Sequence, residues 1–96
     1  MTDTLRNSIL VANKWSNLHD EISARKGSTV AVATPIKVVL LSDNLVAIHV
    51  GATAPTAEAG WTPIMGIGAV AQSETTDSGF WAMPLGKNAL VNLSEV

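Results

Sequence analysis

Cysteine is absent from this 96-residue chain, which excludes disulfide bonds and thiolate metal sites. The length fits one domain. A chain this short buries only about 60–65% of its unfolded surface, so a single copy has little apolar burial to stabilise it. Obligate interfaces resemble a domain core cut in half. We therefore expect part of the surface to be buried against copies of the chain or against a partner.

Charge is also scarce. Charged residues make up 15% of the chain, against about 25% in typical soluble domains. The net charge is −2 and the six Lys and Arg residues form no run, which argues against a nucleic-acid footprint. No apolar run approaches the ~20 residues of a membrane span, and the first residues lack the pattern of a signal peptide. Neither nucleic acid nor membrane is expected as a partner.

Catalytic motifs are missing from the sequence. No serine lies in a G-x-S-x-G context, and the G-x-G of "MGIGAV" has no third glycine. His19, Asp20, Glu21 and His49 are the only cluster of acid/base or metal-ligand type. Neighbouring residues on a strand or helix diverge, whereas a metal site needs three or four convergent ligands. We expect no enzymatic activity, no metal and no cofactor.

What the sequence does contain is a series of short apolar strand patterns after residue 27. Asp43-Asn44 is predicted to form a two-residue hairpin turn, and "LGKN" to join a final hairpin. About six strands at this spacing predict an all-β antiparallel sandwich or barrel. The predicted strands are "STVAVAT", "PIKVVLLS", "LVAIHV", "PIMGIGAV", "GFWAMP" and "NALVNLSEV".

The first part of the chain has a different pattern. "NLHDEISARKG" predicts a short helix with Asn17 as its N-cap and Gly27 at its C-terminal end. The alternative is a strand through Trp15 and Leu18, followed by a polar turn. Residues 1–12 are predicted to form an extended arm that ends in a strand, and residues 13–96 to form the single β domain.

Four aromatic residues are available for the core or for a binding surface: Trp15, Trp61, Phe80 and Trp81. Trp81 lies in an apolar strand pattern, so we expect it to fill the small core. Trp61 follows the tract "GATAPTAEAG" and is equally compatible with the core edge and with an interface, where tryptophan is enriched.

Three segments resemble small structural proteins of tailed bacteriophages. The tract "NLVAIHVGATAPTAEAGWTPIM" is similar to a strand that runs into A-T-A-P-T and returns near glycines. "ANKWSNLHDEISARKGSTV" resembles a W-x-N-L-Y opening, and "SGFWAMPLGKNALVNLSEV" resembles a closing strand pair. His19 stands where an aromatic is usual in that pattern, and "MGIGAV" replaces a more polar turn. The resemblance covers roughly residues 8–96.

This resemblance implies a virion component that is assembled in the host cytoplasm and bound to the capsid surface. The expected function is that of a capsid decoration (cement) or head-fibre protein, a homotrimer that binds the major capsid protein. The contact residues would be Leu5, Ile9 and Leu10 of the arm, together with Trp61. The alternatives are a tail adaptor or fibre module, and a small carbohydrate-binding domain that uses Trp61 and Trp15.

Overall fold

The computed structural model describes residues 8–55 and 61–96 as eight strands and one helix. The strands form two four-stranded antiparallel sheets. The first sheet has the order β1-β8-β3-β6, and the second has the order β2-β7-β4-β5. The elements are β1 (Ser8–Leu10), β2 (Ser16–Asn17), α1 (Leu18–Lys26), β3 (Ile36–Leu40), β4 (Leu45–Val50), β5 (Thr62–Met65), β6 (Val70–Gln72), β7 (Phe80–Leu85) and β8 (Ala89–Glu95).

The two sheets and the helix share one apolar core. Alternate residues of β3 and β8 are buried and their neighbours are half-buried, which is the period of a strand with one face on the core. Helix α1 adds Leu18 and Ile22, and Phe80 is the largest buried side chain. The prediction of an antiparallel β domain with one short helix is confirmed.

Helix α1 begins and ends where the sequence predicts. The Asn17 side-chain oxygen accepts hydrogen bonds from the backbone N–H groups of His19 (3.0 Å) and Asp20 (3.2 Å). At the other end, Gly27 has φ 79° and donates its N–H to the Ser23 carbonyl. The alternative strand through Leu18 is wrong, because the N-cap directs the chain into a helix at that residue.

The predicted strand "STVAVAT" is a loop. Its backbone is held by the helix rather than by a neighbouring strand: the Val30 N–H donates to Ser23 Oγ (2.8 Å), and His19 Nε2 lies 3.0 Å from the Thr34 carbonyl oxygen. Ser23 Oγ in turn donates to the His19 carbonyl (2.6 Å). The alternating pattern is misleading here because Val30 is buried as a single anchor of the loop, while Val32 is exposed.

Both predicted hairpins are wrong, because each pair of strands is divided between the two sheets. β3 and β8 belong to the first sheet, and β4 and β7 belong to the second. A two-residue hairpin of the primed type needs positive φ, but among the described residues Asn13 is the only non-glycine with positive φ. The chain at Asp43-Asn44 therefore crosses from one sheet to the other.

Four such crossings, which we call arches, lie side by side. Position by position, the two sheet orders pair strands that are consecutive in sequence: β1 with β2, β8 with β7, β3 with β4 and β6 with β5. The arches are residues 11–15, 41–44, 66–69 and 86–88. The predicted single strand "PIMGIGAV" contains one of these arches between the end of β5 and the start of β6, because Gly66 (φ 88°) and Gly68 (φ 92°) take the chain from one sheet to the other.

Hydrogen bonds link each arch to its neighbour, and Asn44 makes the central connection. Its side chain is 4% exposed and its Nδ2 donates to the carbonyl oxygens of Lys87 (3.0 Å) and Asn88 (3.3 Å). The Asn44 carbonyl accepts from the Gly66 N–H (3.1 Å). One residue thus joins three arches, and Asn88 Oδ1 reaches the fourth by accepting from the Ala12 N–H (2.8 Å).

The loop after α1 gives the first prediction. Ser23→Ala removes the acceptor of the Val30 N–H, which costs about 1–3 kcal/mol for a group left unpaired, offset by about 0.5 kcal/mol of better helix propensity. We expect the free energy of unfolding in urea to fall by about 1–2 kcal/mol. The control is Ser28→Ala, at an exposed position. Equal stability of the two variants would show that this hydrogen bond does not hold the loop.

The arches give a second prediction. Asn44→Ala leaves two carbonyl oxygens without their donor and should lower the free energy of unfolding by about 1–3 kcal/mol. Asn44→Asp should cost more, because a carboxylate of the same shape then faces those two oxygens. Asp43→Ala, at the exposed neighbouring position, should stay within about 0.5 kcal/mol of the parent. If Asn44→Asp were as stable as the parent, Asn44 would not be the link between arches.

Candidate functional site

Enclosed sites are not found in the part of the chain that the structure describes. Residues 8–55 and 61–96 form no pocket and bring together no group of three or more His, Cys, Asp or Glu side chains. Among the same residues, no helix has the length and apolarity that crossing a membrane requires. A candidate site on the described residues must therefore lie on the outer surface.

The histidine and carboxylate cluster of the sequence is dispersed. His19 is buried and binds the loop after the helix, while Asp20 is exposed. His49 lies on β4, where its ring is 6.2 Å from that of Trp15 in an edge-on arrangement with 66° between the planes. The two histidines thus belong to different environments, one in the helix–loop contact and one on a sheet surface.

The predicted contact residues fall into different classes. Leu5 lies outside the described residues. Ile9 is 63% exposed on β1, whereas Leu10 is fully buried in the core because alternate residues of a strand face opposite sides. Trp61 is 41% exposed. In this position on β1, Leu10 stabilises the core. Of the four predicted contact residues, Ile9 and Trp61 are the two that the structure describes as exposed.

The outer side of the second sheet carries an apolar surface. Val46 and Ile48 point into the core, so Leu45, Ala47 and His49 point outward by strand alternation. The register with β7 and β5 aligns outward residues of those strands beside them. This surface, which we call the apolar face, consists of Leu45, Ala47, His49, Pro63, Met65, Trp81, Met83 and Leu85, with Trp15 and Trp61 at its margins.

Three rows of side chains cross this face. In the first row, Leu85, Leu45 and Met65 are neighbours on adjacent strands; in the second, the neighbours are Met83, Ala47 and Pro63; in the third, they are Trp81 and His49. Trp61 immediately precedes β5, and continuation of the register places it next to His49. Trp61, Pro63 and Met65 are exposed, Ala47 in the second row is fully buried, and the other members of the face are half-buried.

All three tryptophans of the chain belong to this face. The prediction that Trp81 fills the core is wrong: Trp81 is half-buried on the outer side, and Phe80, one residue earlier, points into the core instead. Strand alternation separates the two. Trp15 is placed there by its contact with His49. The largest apolar side chains of the protein are thus outside its core.

Trp81 is held in a fixed position by a hydrogen bond from its indole nitrogen. Trp81 Nε1 donates to the Gly51 carbonyl (2.9 Å), and the Gly51 N–H donates to the Gly79 carbonyl (3.1 Å). A Cβ on Gly79 would clash with the Gly51 carbonyl oxygen, and a Cβ on Gly51 would lie 2.8 Å from His49 Nε2. Gly79 therefore leaves room for the Gly51 carbonyl that accepts from Trp81, and Gly51 leaves room for the His49 ring.

The face carries no Asp, Glu, Lys or Arg at any of its ten positions, as defined above. The described ion pair, between Lys26 and Glu95 at 2.9 Å, joins the helix to β8 of the first sheet. Contiguous exposed apolar patches larger than a few hundred Å² mark sites of contact with another molecule, and Trp61, Pro63 and Met65 are the exposed part of this face. The apolar face is therefore the candidate functional site.

Sequence reasoning placed Val46 and Ile48 together on one side of β4 but did not recognise the outward residues of β4 and β7 as one surface. The signal was present, since Leu45, Ala47 and His49 alternate with core residues, and Trp81, Met83 and Leu85 do the same. A strand with apolar residues on both sides is expected when both sides are covered. The predicted hairpins pair β3 with β4 and β7 with β8. They therefore do not place the outward residues of β4 beside those of β7.

Comparisons with protein-family models, with curated proteins and with solved structures each found no match to this chain. The resemblance to virion proteins consequently rests on the sequence motifs alone.

Proposed function

We propose that the protein is a structural subunit of a larger assembly. On the sequence resemblance, the assembly is the virion of a tailed bacteriophage, and the protein is a capsid decoration (cement) or head-fibre protein. It acts as a homotrimer that binds the major capsid protein at the particle surface after synthesis in the host cytoplasm.

One observation supports a role in assembly above all others: the three tryptophans share one outer face that has no Asp, Glu, Lys or Arg at its ten positions. Each tryptophan offers ~200 Å² of surface for burial, and tryptophan and methionine are enriched in protein interfaces while charged residues are depleted from their centres. The apolar face has this composition, with three Trp, two Met and no Asp, Glu, Lys or Arg. It is the composition expected of a subunit that is covered in its working state.

The surfaces proposed for capsid contact are those of Ile9 and Trp61. Ile9 points outward from β1, at the edge of the first sheet, and Trp61 lies at the margin of the apolar face. A trimer that engages three equivalent capsid sites needs only weak contacts at each, because linked sites add their binding free energies. Leu10 takes no part in this contact, since it is buried in the core.

Capsid binding is tested by co-sedimentation with purified capsids that lack this protein. Ile9→Lys should weaken each contact by about 1 kcal/mol, and three linked contacts turn this into about 3 kcal/mol, or roughly a hundredfold in affinity. Val32→Lys, at an exposed valine of the loop after the helix, is the control and should bind like the parent. Absence of co-sedimentation by the parent protein would contradict the proposed function.

The shared face of the tryptophans also favours a second candidate, a carbohydrate-binding domain. Flat aromatic rings bind sugar faces, and Trp61 and Trp15 belong to one surface, with the Trp15 ring 6.2 Å from that of His49. In that case, tryptophan fluorescence should change when host polysaccharides are added, and Trp61→Ala should reduce the response. Unchanged fluorescence across a panel of such polysaccharides would exclude this candidate.

A further inference from the structure

We propose that His19 is a pH-sensitive switch for the loop after α1, which it holds closed at neutral pH and releases when its ring takes up a proton. This loop, residues 28–35, connects the helix to β3, and we call it the strap. The proposal concerns a conformational change within one chain, so it does not depend on the proposed function.

The strap is attached to the rest of the domain at few points. Its residues 28, 29 and 31–33 are exposed, and Val30 is its one buried side chain. Among the described residues, two hydrogen bonds join the strap to the helix. The Val30 N–H donates to Ser23 Oγ (2.8 Å), and the Thr34 carbonyl oxygen lies 3.0 Å from His19 Nε2. Closure of the strap therefore depends strongly on the His19 ring.

Both ends of the strap are anchored independently of that ring. Before it, the Gly27 N–H donates to the Ser23 carbonyl (2.9 Å). After it, the Ile36 N–H donates to Ser73 Oγ (2.9 Å), and the Ile36 side chain is fully buried in the core. Between these anchors the strap can leave the helix while α1 and β3 stay in place.

The surroundings of the His19 ring accommodate its neutral form. The ring is 2% exposed, and because a carbonyl oxygen only accepts, its Nε2 carries the hydrogen that points to Thr34. The neutral ring then has a bare lone pair on Nδ1, which is buried and has no hydrogen-bond partner among the described residues. A proton added there would create a buried N–H without an acceptor, which is costly.

The position of His19 in the helix also disfavours a positive charge. His19 is the second residue of α1, and the N-terminal end of a helix carries a partial positive charge. The cap at this end is an uncharged side chain, the Asn17 amide. An imidazolium at this place would thus be buried beside the positive end of the helix dipole.

The charged groups around the helix offer little compensation. The strap, β2 and β7, which pack on α1, contain no Asp, Glu, Lys, Arg or His, and β8 contributes only Glu95. Glu95 is already paired with Lys26 at 2.9 Å. Adjacent residues of a helix do not face each other, and Asp20 is exposed, where solvent screens its charge. The charged groups on the helix itself are Asp20, Glu21, Arg25 and Lys26.

A protonated ring is therefore better accommodated in water, with the strap open. Opening takes up one proton that the closed form has no place for, so closure is complete at neutral pH and is lost as the pH falls. Imidazole in water becomes protonated below about pH 6.5. Below that value, each unit of pH should raise the ratio of open to closed strap by up to about tenfold.

The experiment measures hydrogen exchange of the Val30 amide by NMR, as protection relative to a free peptide at the same pH. Between about pH 7.5 and about pH 5.5, where Asp and Glu side chains in water stay ionised, protection in the parent should fall about tenfold. His19→Gln keeps a donor for the Thr34 carbonyl but does not titrate, and its protection should change less than about twofold. The matched control, His49→Gln, removes the other histidine and should behave like the parent.

The Leu40 amide, which donates to the Ala69 carbonyl (2.8 Å), reports opening of the first sheet in the same samples. We expect Val30 to exchange faster than Leu40 at every pH, because the strap opens while β3 stays paired. Equal protection of the two amides would overturn the proposal, since the strap would then open only when the whole domain unfolds.

A flat pH profile for Val30 in the parent would also overturn the proposal, as would a parent-like fall in His19→Gln. Circular dichroism establishes that each variant is folded, and His19→Phe is a second side chain that fills the site without titrating and should give a flat profile. If neither His19 variant folds, the parent and His49→Gln decide: loss of the pH dependence in His49→Gln would assign it to the other histidine.

Discussion

The buried amide of Asn44 is the interaction on which the rest of the architecture depends. Two sheets joined by four crossings need those crossings to stay in register, and each crossing leaves backbone groups outside the sheet ladders. The Asn44 Nδ2 and carbonyl satisfy such groups on both neighbouring arches. Because an unpaired buried polar group costs more than a made hydrogen bond gains, a side chain with both a donor and an acceptor suits this position better than any apolar residue.

The sequence was a good guide to local structure and a poor guide to which strands are neighbours. The helix from Leu18 to Lys26 was predictable because Asn17 and Gly27 act within a few residues of themselves. The strands Ile36–Leu40 and Leu45–Val50 were predictable from their period of two. Their assignment to different sheets was not, because four residues are enough for a hairpin or for a crossing, and the choice is made by Asn44 contacts with residues more than forty positions away.

The candidate site was also predictable only where its signal is local in the sequence. Trp61 was singled out from its neighbours alone, and its exposure agrees with an interface. Trp81 was assigned to the core because an apolar strand pattern does not tell which of two adjacent large residues points inward. Phe80 takes the inward position, and this single choice of side sets Trp81, Met83 and Leu85 beside the outward residues of β4. A surface made by three strands that are distant in sequence has no local signature.

The arches also determine when during synthesis the protein can fold. The strands that complete both sheets, β7 and β8, come last in the order of the described strands, and each occupies an interior position between strands made much earlier. Before residue 80 is made, β1 and β2 have no partner strand, and β3 and β4 each lack one of their two. Because such non-local pairing is slow to form, the strands made first stay without these partners until residues 80–95 have been synthesised. Folding of this domain thus waits for β7 and β8, which complete the two sheets together.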